Sequence, residues 1–181
     1  GVRRQGVLFA PEAGDQLLPG DECYVKCNHQ DRLRTTEIFG KSTAKQERMV
    51  IIGGGKVGQR EAQALEQDDR RMRIKVIERN RSVAEEAADA LERTIVLNGD
   101  GLDSTLLTEA GIGRADAVLA ITDDDKTNML AAVRAKSMGC KMAIALINDP
   151  TMVSMMGTLG IDAHINPRAT TVSSILRHIR H

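Results

Sequence analysis

The run Gly53-Gly54-Gly55-Lys56-Val57-Gly58 follows an apolar segment at residues 49–52. This Gly-x-Gly-x-x-Gly spacing is typical of the turn between the first strand and first helix of a dinucleotide-binding fold. Gly53 allows a tight turn, and the missing Cβ of Gly55 lets a pyrophosphate approach the backbone. Gly58 lets the helix pack closely on the strand, and the helix N-terminus points its N–H groups at the phosphates. All six residues of the run are therefore candidate nucleotide contacts.

A second apolar segment, residues 73–77, ends at the acid Glu78, which lies 20 positions after Gly58 (78 − 58 = 20). At that spacing a carboxylate accepts hydrogen bonds from the ribose hydroxyls of a dinucleotide. The same charge repels a 2′-phosphate, which favours NAD or NADH over NADP(H). Arg79 has two interpretations, a phosphate ligand or a solvated charge at the strand end. ATP or ADP would use the same glycine run and Glu78, so an adenine nucleotide is the alternative cofactor.

Short apolar segments alternate with helix-like segments from Arg48 onward. Asp149-Pro150 and Asn166-Pro167 each provide an N-cap followed by proline at the first helical position. Gly139 can end the preceding helix at the C′ position. An apolar stripe at helical spacing over residues 172–179 predicts the last helix. This alternation predicts an α/β fold, a Rossmann-like doubly wound parallel six-stranded sheet with right-handed crossovers. The predicted strands are residues 49–52, 73–77, 94–97, 117–121, 142–147 and 163–165.

Residues 1–40 have a different pattern from the remainder of the chain. Val7-Leu8-Phe9 is predicted to be a short apolar strand, and residues 23–28 alternate between apolar and polar side chains, as in a half-buried strand. The polar segment 41–47 has no periodicity and is predicted to be a linker. We therefore expect a small β-rich α+β subdomain at residues 1–40, followed by one nucleotide-binding domain at residues 48–181.

Two further loops are expected at the carboxyl ends of the predicted strands, where doubly wound sheets bind their ligands. The first is Asn98-Gly99-Asp100-Gly101, whose glycines let the backbone come close to a ligand. Asp100 either contacts an adenine or ribose edge or, like Asp103, caps the next helix. Gly99 and Asp100 are therefore candidate ligand contacts.

The second of these loops, residues 122–128, reads Thr-Asp-Asp-Asp-Lys-Thr-Asn. Three carboxylates that open a helix complement its dipole, and this structural role explains most of the run. Adjacent aspartates could also bind a divalent cation or a partner, but they define no coordination geometry. Thr122 and Asn128, at the two ends, are the better candidates for polar ligand contacts, and Asp123 is included with them.

Composition and the remaining polar residues argue against several classes of function. Lys+Arg and Asp+Glu are equal at 25 each, and aromatic residues make up 2% with no Trp, so no nucleic-acid surface is expected. Cys23, Cys27 and His29 lack a second ligand pair at suitable spacing, so no metal site is predicted. Tyr24 is the only tyrosine, and the histidines show no catalytic spacing, so no catalytic residues are predicted.

Two features concern the chain as a whole. It starts with Gly1 rather than Met and in the middle of a pattern, which suggests a piece of a longer protein. Its three cysteines, an odd number, suggest reduced thiols rather than a disulfide framework, and no apolar run is long enough for a membrane span.

These motifs resemble the RCK (KTN) family of nucleotide-binding domains. The resemblance is carried by residues 50–58, Val76-Ile77-Glu78-Arg79, Gly99-Asp100-Gly101 and residues 120–129. Arg4-Gln5-Gly6, together with residues 18–22, is similar to the small C-terminal subdomain of an RCK unit. In a single unit the nucleotide-binding domain comes first, whereas here the small subdomain precedes it.

The resemblance implies a cytoplasmic regulatory subunit of a bacterial Trk-type potassium uptake system, peripheral on the inner face of the membrane. Such proteins carry two units in tandem, so this chain would hold the end of the first unit and the nucleotide-binding domain of the second. The implied ligand is NAD or NADH, alternatively ATP or ADP. The implied partners are a membrane potassium-translocating subunit and other RCK domains. The alternatives are an NAD-dependent oxidoreductase, for which no substrate domain is recognisable, and an assembly module with a vestigial nucleotide site.

Overall fold

The computed structural model describes residues 1–5, 7–12, 14–24, 47–68 and 70–166. The chain divides into two compact units, Gly1–Lys45 and Gln46–His181. Within the described ranges, no helix combines the length and the apolar character needed to cross a membrane. The predicted strand continuation at residues 25–28, nearly all of the predicted linker and the predicted last helix at 172–179 lie outside the described residues.

The first unit contains a three-stranded antiparallel sheet, whose strands are β1 (Val2–Arg4), β2 (Val7–Phe9) and β3 (Glu22–Cys23), in the order β2-β1-β3. The guanidinium of Arg4 donates to both carboxylate oxygens of Asp21, at 2.9 and 2.7 Å. This pairing, with a hydrogen bond from the backbone N–H of Leu18, lowers the pKa of Asp21 to about 2. The predicted strand at residues 7–9 is confirmed, and the predicted strand from Cys23 is present at its first residue.

The second unit is a six-stranded parallel sheet with helices between its strands. The strands are β4 (Arg48–Ile52), β5 (Arg73–Glu78), β6 (Ile95–Asn98), β7 (Ala117–Ala120), β8 (Met142–Leu146) and β9 (Ala163–Ile165). The helices are α1 (Lys56–Asp68), α2 (Arg81–Ala90), α3 (Ser104–Ala110), α4 (Asp125–Ser137) and α5 (Pro150–Met156). The strand order is β6-β5-β4-β7-β8-β9, so the direction of winding reverses between β4 and β7. The predicted doubly wound parallel sheet is confirmed.

Side-chain caps and a glycine define several helix ends. The side chain of Asn80 caps α2. Asp149 caps α5 with Pro150 in the first turn, as the sequence predicts. Gly139 follows α4 with a φ of +103°. Its N–H donates to the carbonyl oxygen of Lys136 at 3.0 Å, so this glycine ends the helix in the predicted way.

Apolar side chains cover both faces of the parallel sheet. On one face, Ile51 of β4 belongs to a cluster with Leu65 of α1. On the other face, Ile52 belongs to a cluster with Leu107 of α3 and Ala132 of α4. Each of these five side chains is at most 2% exposed, and burial of one Ile or Leu contributes roughly 1.5–3 kcal/mol. These two layers hold the carboxyl ends of the strands at fixed positions.

Two buried glutamates on α1 have opposite hydrogen-bonding environments. Glu66 is 9% exposed, and its carboxylate accepts hydrogen bonds from Glu92, Arg93 and Thr94. Burial raises its pKa, but these hydrogen bonds together outweigh burial, and the pKa lies below its ordinary value. Glu61 is 6% exposed, its Oε2 has no hydrogen-bond partner within the described residues, and burial raises its pKa.

Candidate functional site

A cavity of about 1060 Å³ opens at the carboxyl ends of β4, β5 and β8 and the loops after β6 and β7. This is the position where the winding of the sheet reverses, at which doubly wound folds bind their ligands. The predicted site residues that line it are Gly53, Gly55, Lys56, Val57, Glu78, Arg79, Asp100, Thr122 and Asp123. The other four, Gly54, Gly58, Gly99 and Asn128, lie outside the lining.

Gly53 and Gly58 shape the turn between β4 and α1. Gly53 has a φ of +113°, a conformation that other residues rarely adopt, and a Cβ there would lie 2.9 Å from the carbonyl oxygen of Ile121. A Cβ on Gly58 would lie 1.9 Å from the carbonyl oxygen of Gly53. The tight turn and the close helix packing that the sequence predicts are therefore present, and the packing of the chain itself requires both glycines.

Gly55, Lys56 and Val57 form the exposed edge of this turn. No atom lies within 4 Å of a Cβ built on Gly55, so the space beside it is open. Helix α1 begins at Lys56 and has no acidic residue in its first turn, so no carboxylate of that turn offsets its N–H groups and positive dipole end. Together with the charge of Lys56, this end of the helix is suited to a phosphate group.

Glu78 at the end of β5 connects the glycine turn to the next loop. Its Oε2 accepts a hydrogen bond from the N–H of Gly54, and its Oε1 accepts one from the N–H of Asn80, both at 2.7 Å. The half-buried side chain lines the cavity, and each oxygen keeps a lone pair for a ligand hydroxyl. Gly54 is buried, so its connection to the site is this hydrogen bond to Glu78.

Arg79 and the loop after β6 form the side of the cavity next to Glu78. Arg79 is exposed on the lining, a position compatible with either of its two predicted roles. Asp100 also lines the cavity, and its Oδ1 accepts from the N–H of Leu102 at 2.9 Å. The side chain of Asp103, not that of Asp100, caps α3. Asp100 is therefore an acceptor on the lining.

Asn128 requires the largest correction to the predicted site. It is 0% exposed, and its Oδ1 accepts from the backbone N–H of Thr122 at 2.8 Å and from the hydroxyl of Thr122 at 2.7 Å. Its Nδ2 donates to the carbonyl oxygens of Thr122 and Leu146 at 3.0 and 2.9 Å. Asn128 therefore positions Thr122 instead of facing a ligand. Gly99 also lies outside the lining, and a Cβ there would lie 2.6 Å from the Leu106 side chain, so its contact with a ligand stays a prediction.

Two of the three aspartates at the start of α4 have structural partners. Asp124 accepts from the hydroxyl of Thr127 at 2.6 Å and from its N–H at 2.8 Å, and these hydrogen bonds lower the pKa of Asp124. Burial raises the pKa of Asp125, but hydrogen bonds from the backbone and side chain of Asn148, at 2.8 Å each, contribute to a net lowering. Asp123 is exposed on the lining. Among the described residues, no cluster of three or more His, Cys, Asp or Glu side chains is suited to a metal ion.

Several lining residues were missed by sequence reasoning. Asn148 directly follows the predicted strand 142–147, and Asn80 lies just beyond β5. Glu78 and Thr122 were predicted because doubly wound sheets bind ligands at the carboxyl ends of their strands, and the same rule could have predicted Asn148 and Asn80. Apolar lining residues carry no such signal, because an apolar residue at a strand end looks the same in the sequence whether its side chain is buried in the core or lines a cavity. The other missed residues are Ile52, Ile77, Val83, Gly101, Leu102, Ile121, Asp124, Thr127 and Leu146.

The sequence profile of the TrkA-N domain matches residues 49–167 of this chain, a range that contains nearly all of the parallel sheet. The chain belongs to the TrkA-N domain family. The Trk system potassium uptake protein TrkA of Azorhizobium caulinodans is 39% identical over 179 residues, which cover 99% of this chain and 39% of that relative. The chain thus spans about two-fifths of the length of the TrkA proteins it matches.

Solved structures share the fold of this TrkA-N domain. A structure of the GsuK channel bound to NAD aligns with a TM-score of 0.57 at 18% identity, covering 68% of this chain and 22% of that chain. A structure of GsuK bound to ADP aligns with a TM-score of 0.57 at 24% identity, covering 77% of this chain and 35% of that chain. At these identities the likeness concerns the fold alone.

Proposed function

We propose that this TrkA-N domain is the nucleotide-binding part of a regulatory subunit of a potassium uptake system. The observation that carries the proposal is the arrangement of the glycine turn, the N-terminus of α1 and Glu78 around one cavity. The turn and the helix supply N–H donors and positive charge for a phosphate, and Glu78 supplies acceptors for ribose hydroxyls. NAD or NADH fits this chemistry, and ATP or ADP is the alternative.

The proposed regulation follows from the relatives of the domain. The similar proteins are named as Trk system potassium uptake proteins, and GsuK structures have been solved with NAD and with ADP. We propose that nucleotide binding is coupled to the gating of a membrane potassium-translocating subunit, from the cytoplasmic face of the membrane. A ligand shifts an equilibrium only by binding one arrangement of the domains better than another. Self-association with other RCK domains would supply such alternative arrangements.

The domain organisation is part of the same proposal. Residues 1–40 would be the small C-terminal subdomain of a preceding RCK unit, residues 41–47 a linker, and residues 48–181 the nucleotide-binding domain of the next unit. The support is the resemblance of the N-terminal motifs, together with the parallel sheet that begins at Arg48.

The lining of the cavity favours a binding site over an NAD-dependent oxidoreductase. Its side chains, within the described part of the chain, include no histidine, cysteine or tyrosine. These residue types supply many of the general acids and bases that accompany group transfer. We therefore propose a sensor that binds its nucleotide without converting it.

Fluorescence titration of this chain with NADH, followed by competition with NAD, ATP and ADP, tests the proposal. The expected result is saturable binding with the NADH unchanged after prolonged incubation. An absence of binding at millimolar ligand would support a vestigial site in an assembly module. Consumption of NADH that depends on the protein would instead support catalysis.

A further inference from the structure

The peptide group between Gly54 and Gly55 is held at its carbonyl end by a side chain of α1. Gln59 Nε2 donates to the carbonyl oxygen of Gly54 at 3.0 Å. Because this partner is an oxygen that can only accept, the end of the Gln59 amide beside it is the nitrogen. Gln59 is half-buried and lies outside the cavity lining. The Gly54 carbonyl is therefore directed to a side chain that does not face the proposed ligand.

The direction of this carbonyl sets the direction of the next N–H. Among the described residues no peptide bond is cis, and in a planar trans peptide the C=O and the N–H point in opposite directions. The N–H of Gly55 consequently points away from Gln59. Gly55 is exposed on the lining, and its N–H has no hydrogen-bond partner within the described part of the chain. This N–H is a donor at the position proposed for the pyrophosphate.

Two adjacent glycines make this peptide group easy to turn over. Packing requires the first, because a Cβ on Gly54 would lie 2.9 Å from the Cβ of Glu78. The ligand is proposed to require the second, Gly55. Without a Cβ on either side, the dihedral angles that flank the peptide group are weakly restricted, so a flip of the group costs little by itself. A flipped group would present the Gly54 carbonyl oxygen, instead of an N–H, to a phosphate, and the two would repel each other.

Two side chains oppose such a flip. Glu78 Oε2 accepts from the N–H of Gly54 at 2.7 Å, and Gln59 donates to the carbonyl of the same residue. Glu78 comes from β5 and Gln59 from α1, so the elements on both sides of the turn fix its backbone. Of the two hydrogen bonds, the one from Gln59 acts directly on the peptide group that carries the Gly55 N–H.

We propose that Gln59 is a positioning residue, which holds the Gly54–Gly55 peptide group in the orientation that offers the Gly55 N–H to a phosphate. The inference rests on the proposed nucleotide site and adds a residue that acts through Gly55 without touching the ligand. Loss of the Gln59 amide leaves two orientations of the peptide group, and the apparent affinity falls with the fraction in the binding-competent one. A ligand with a diphosphate should lose affinity, whereas a nucleoside held by Glu78 alone should not.

The matched control is another glutamine of the same helix. Gln63 lies four residues further along α1, is half-buried like Gln59, and donates through its Nε2 to the carbonyl oxygen of Ala90 at 3.2 Å. It also lies outside the cavity lining. Gln59→Met and Gln63→Met therefore remove the same kind of hydrogen bond with little change in side-chain length, and the two variants differ in whether the bond reaches the glycine turn.

NMR titration of the parent chain and both variants with ADP and with adenosine tests the inference. Gln59→Met should weaken ADP about fivefold and adenosine less than about twofold, and Gln63→Met should change neither by more than about twofold. Unchanged ADP affinity in Gln59→Met, or equal losses for ADP and adenosine, would overturn the role of Gln59 while the nucleotide site stands. If ADP does not bind to the parent chain, the proposed function itself is wrong.

The amide signal of Gly55 provides a second readout, which a merely structural role of Gln59 would not move. Saturating ADP should shift this amide proton downfield in the parent chain, because the N–H donates to a charged oxygen. In Gln59→Met without ligand, the Gly55 signal should shift or broaden, and Gln63→Met should leave it in place. Gln59→Ala, which favours the helix, replaces Gln59→Met if that variant does not fold. A Gly55 signal that responds neither to ADP nor to the loss of Gln59 would refute the inference.

Discussion

The Oε2 atom of Glu78 accepts a 2.7 Å hydrogen bond from the backbone N–H of Gly54, 24 positions earlier in the chain. The acid proposed to bind the ribose therefore also holds the turn proposed to bind the phosphates. A Cβ on Gly54 would lie 2.9 Å from the Cβ of Glu78, which shows how closely the two segments pack. Ligand affinity and the order of the glycine turn consequently depend on the same carboxylate.

Replacement of Glu78 should affect both properties. Glu78→Ala leaves the N–H groups of Gly54 and Asn80 without this acceptor and removes the proposed ribose contact. We expect nucleotide binding to weaken by about 1–3 kcal/mol and thermal stability without ligand to fall as well. Calorimetry and thermal unfolding measure the two effects. A rise in affinity specifically for NADPH in the same variant would show that Arg79 is a phosphate ligand. A variant of unchanged stability would contradict the role of the hydrogen bonds.

Substitutions at Gly55 and Gly58 should have opposite consequences. A Cβ on Gly55 meets open space, so Gly55→Val should fold normally but lose nucleotide binding, because its side chain occupies the space proposed for the pyrophosphate. A Cβ on Gly58 would lie 1.9 Å from the carbonyl oxygen of Gly53, so Gly58→Ala should destabilise the fold by about 2 kcal/mol or more. Thermal unfolding and NAD titration of both variants measure these effects. Full affinity in Gly55→Val would disprove the assignment of the turn.

Glu66 should stabilise the fold in a pH-dependent way. Its carboxylate accepts hydrogen bonds from the backbone of Arg93 and Thr94, so Glu66→Gln should cost about 2 kcal/mol at neutral pH. Because the folded-state pKa is below the ordinary value of 4.5, this stabilisation is complete above that value and is lost as the pH falls through the folded pKa. Urea unfolding of the two proteins at several pH values measures the difference. A difference that does not shrink in acid would show that the carboxylate charge is not involved.

Glu61 should show the opposite dependence. Its pKa is raised by burial, so its ionisation destabilises the fold increasingly as the pH rises from the ordinary value of 4.5 through the folded pKa. Glu61→Gln removes this titration and should be more stable than the parent chain at neutral pH, with a smaller advantage in acid. The same urea series tests this, and a variant that is less stable at neutral pH would refute it.

The fold was predictable because its signals are local and repeated. The six apolar segments and the caps at Asp149 and Gly139 each follow from short stretches of sequence. The antiparallel pairing of β1 with both β2 and β3 was not predicted, because it depends on contacts between segments with no shared pattern. The buried environment of Glu61 was likewise not visible, since a glutamate in a helix usually faces water.

The candidate site was predictable in its position more than in its contacts. The glycine run and Glu78 follow from spacing, and Glu78 and four of the six residues of the run line the cavity. Asn128 and Thr122 looked equivalent in the sequence, but Asn128 is fully buried and bonds to the backbone, whereas Thr122 reaches the lining. Which of two polar residues faces a ligand depends on the packing of α4 against β8, and this requires the tertiary structure.

The central claim is that a nucleotide binds in the cavity beside the glycine turn. Isothermal titration of this chain with NAD, in parallel with the Gly55→Val variant, tests it most directly. We predict saturable one-site binding of NAD by the parent chain and no measurable heat of binding for Gly55→Val. The variant should unfold at the same temperature as the parent chain. Equal NAD affinity in the two proteins, or no binding by the parent chain at millimolar NAD, would contradict the claim.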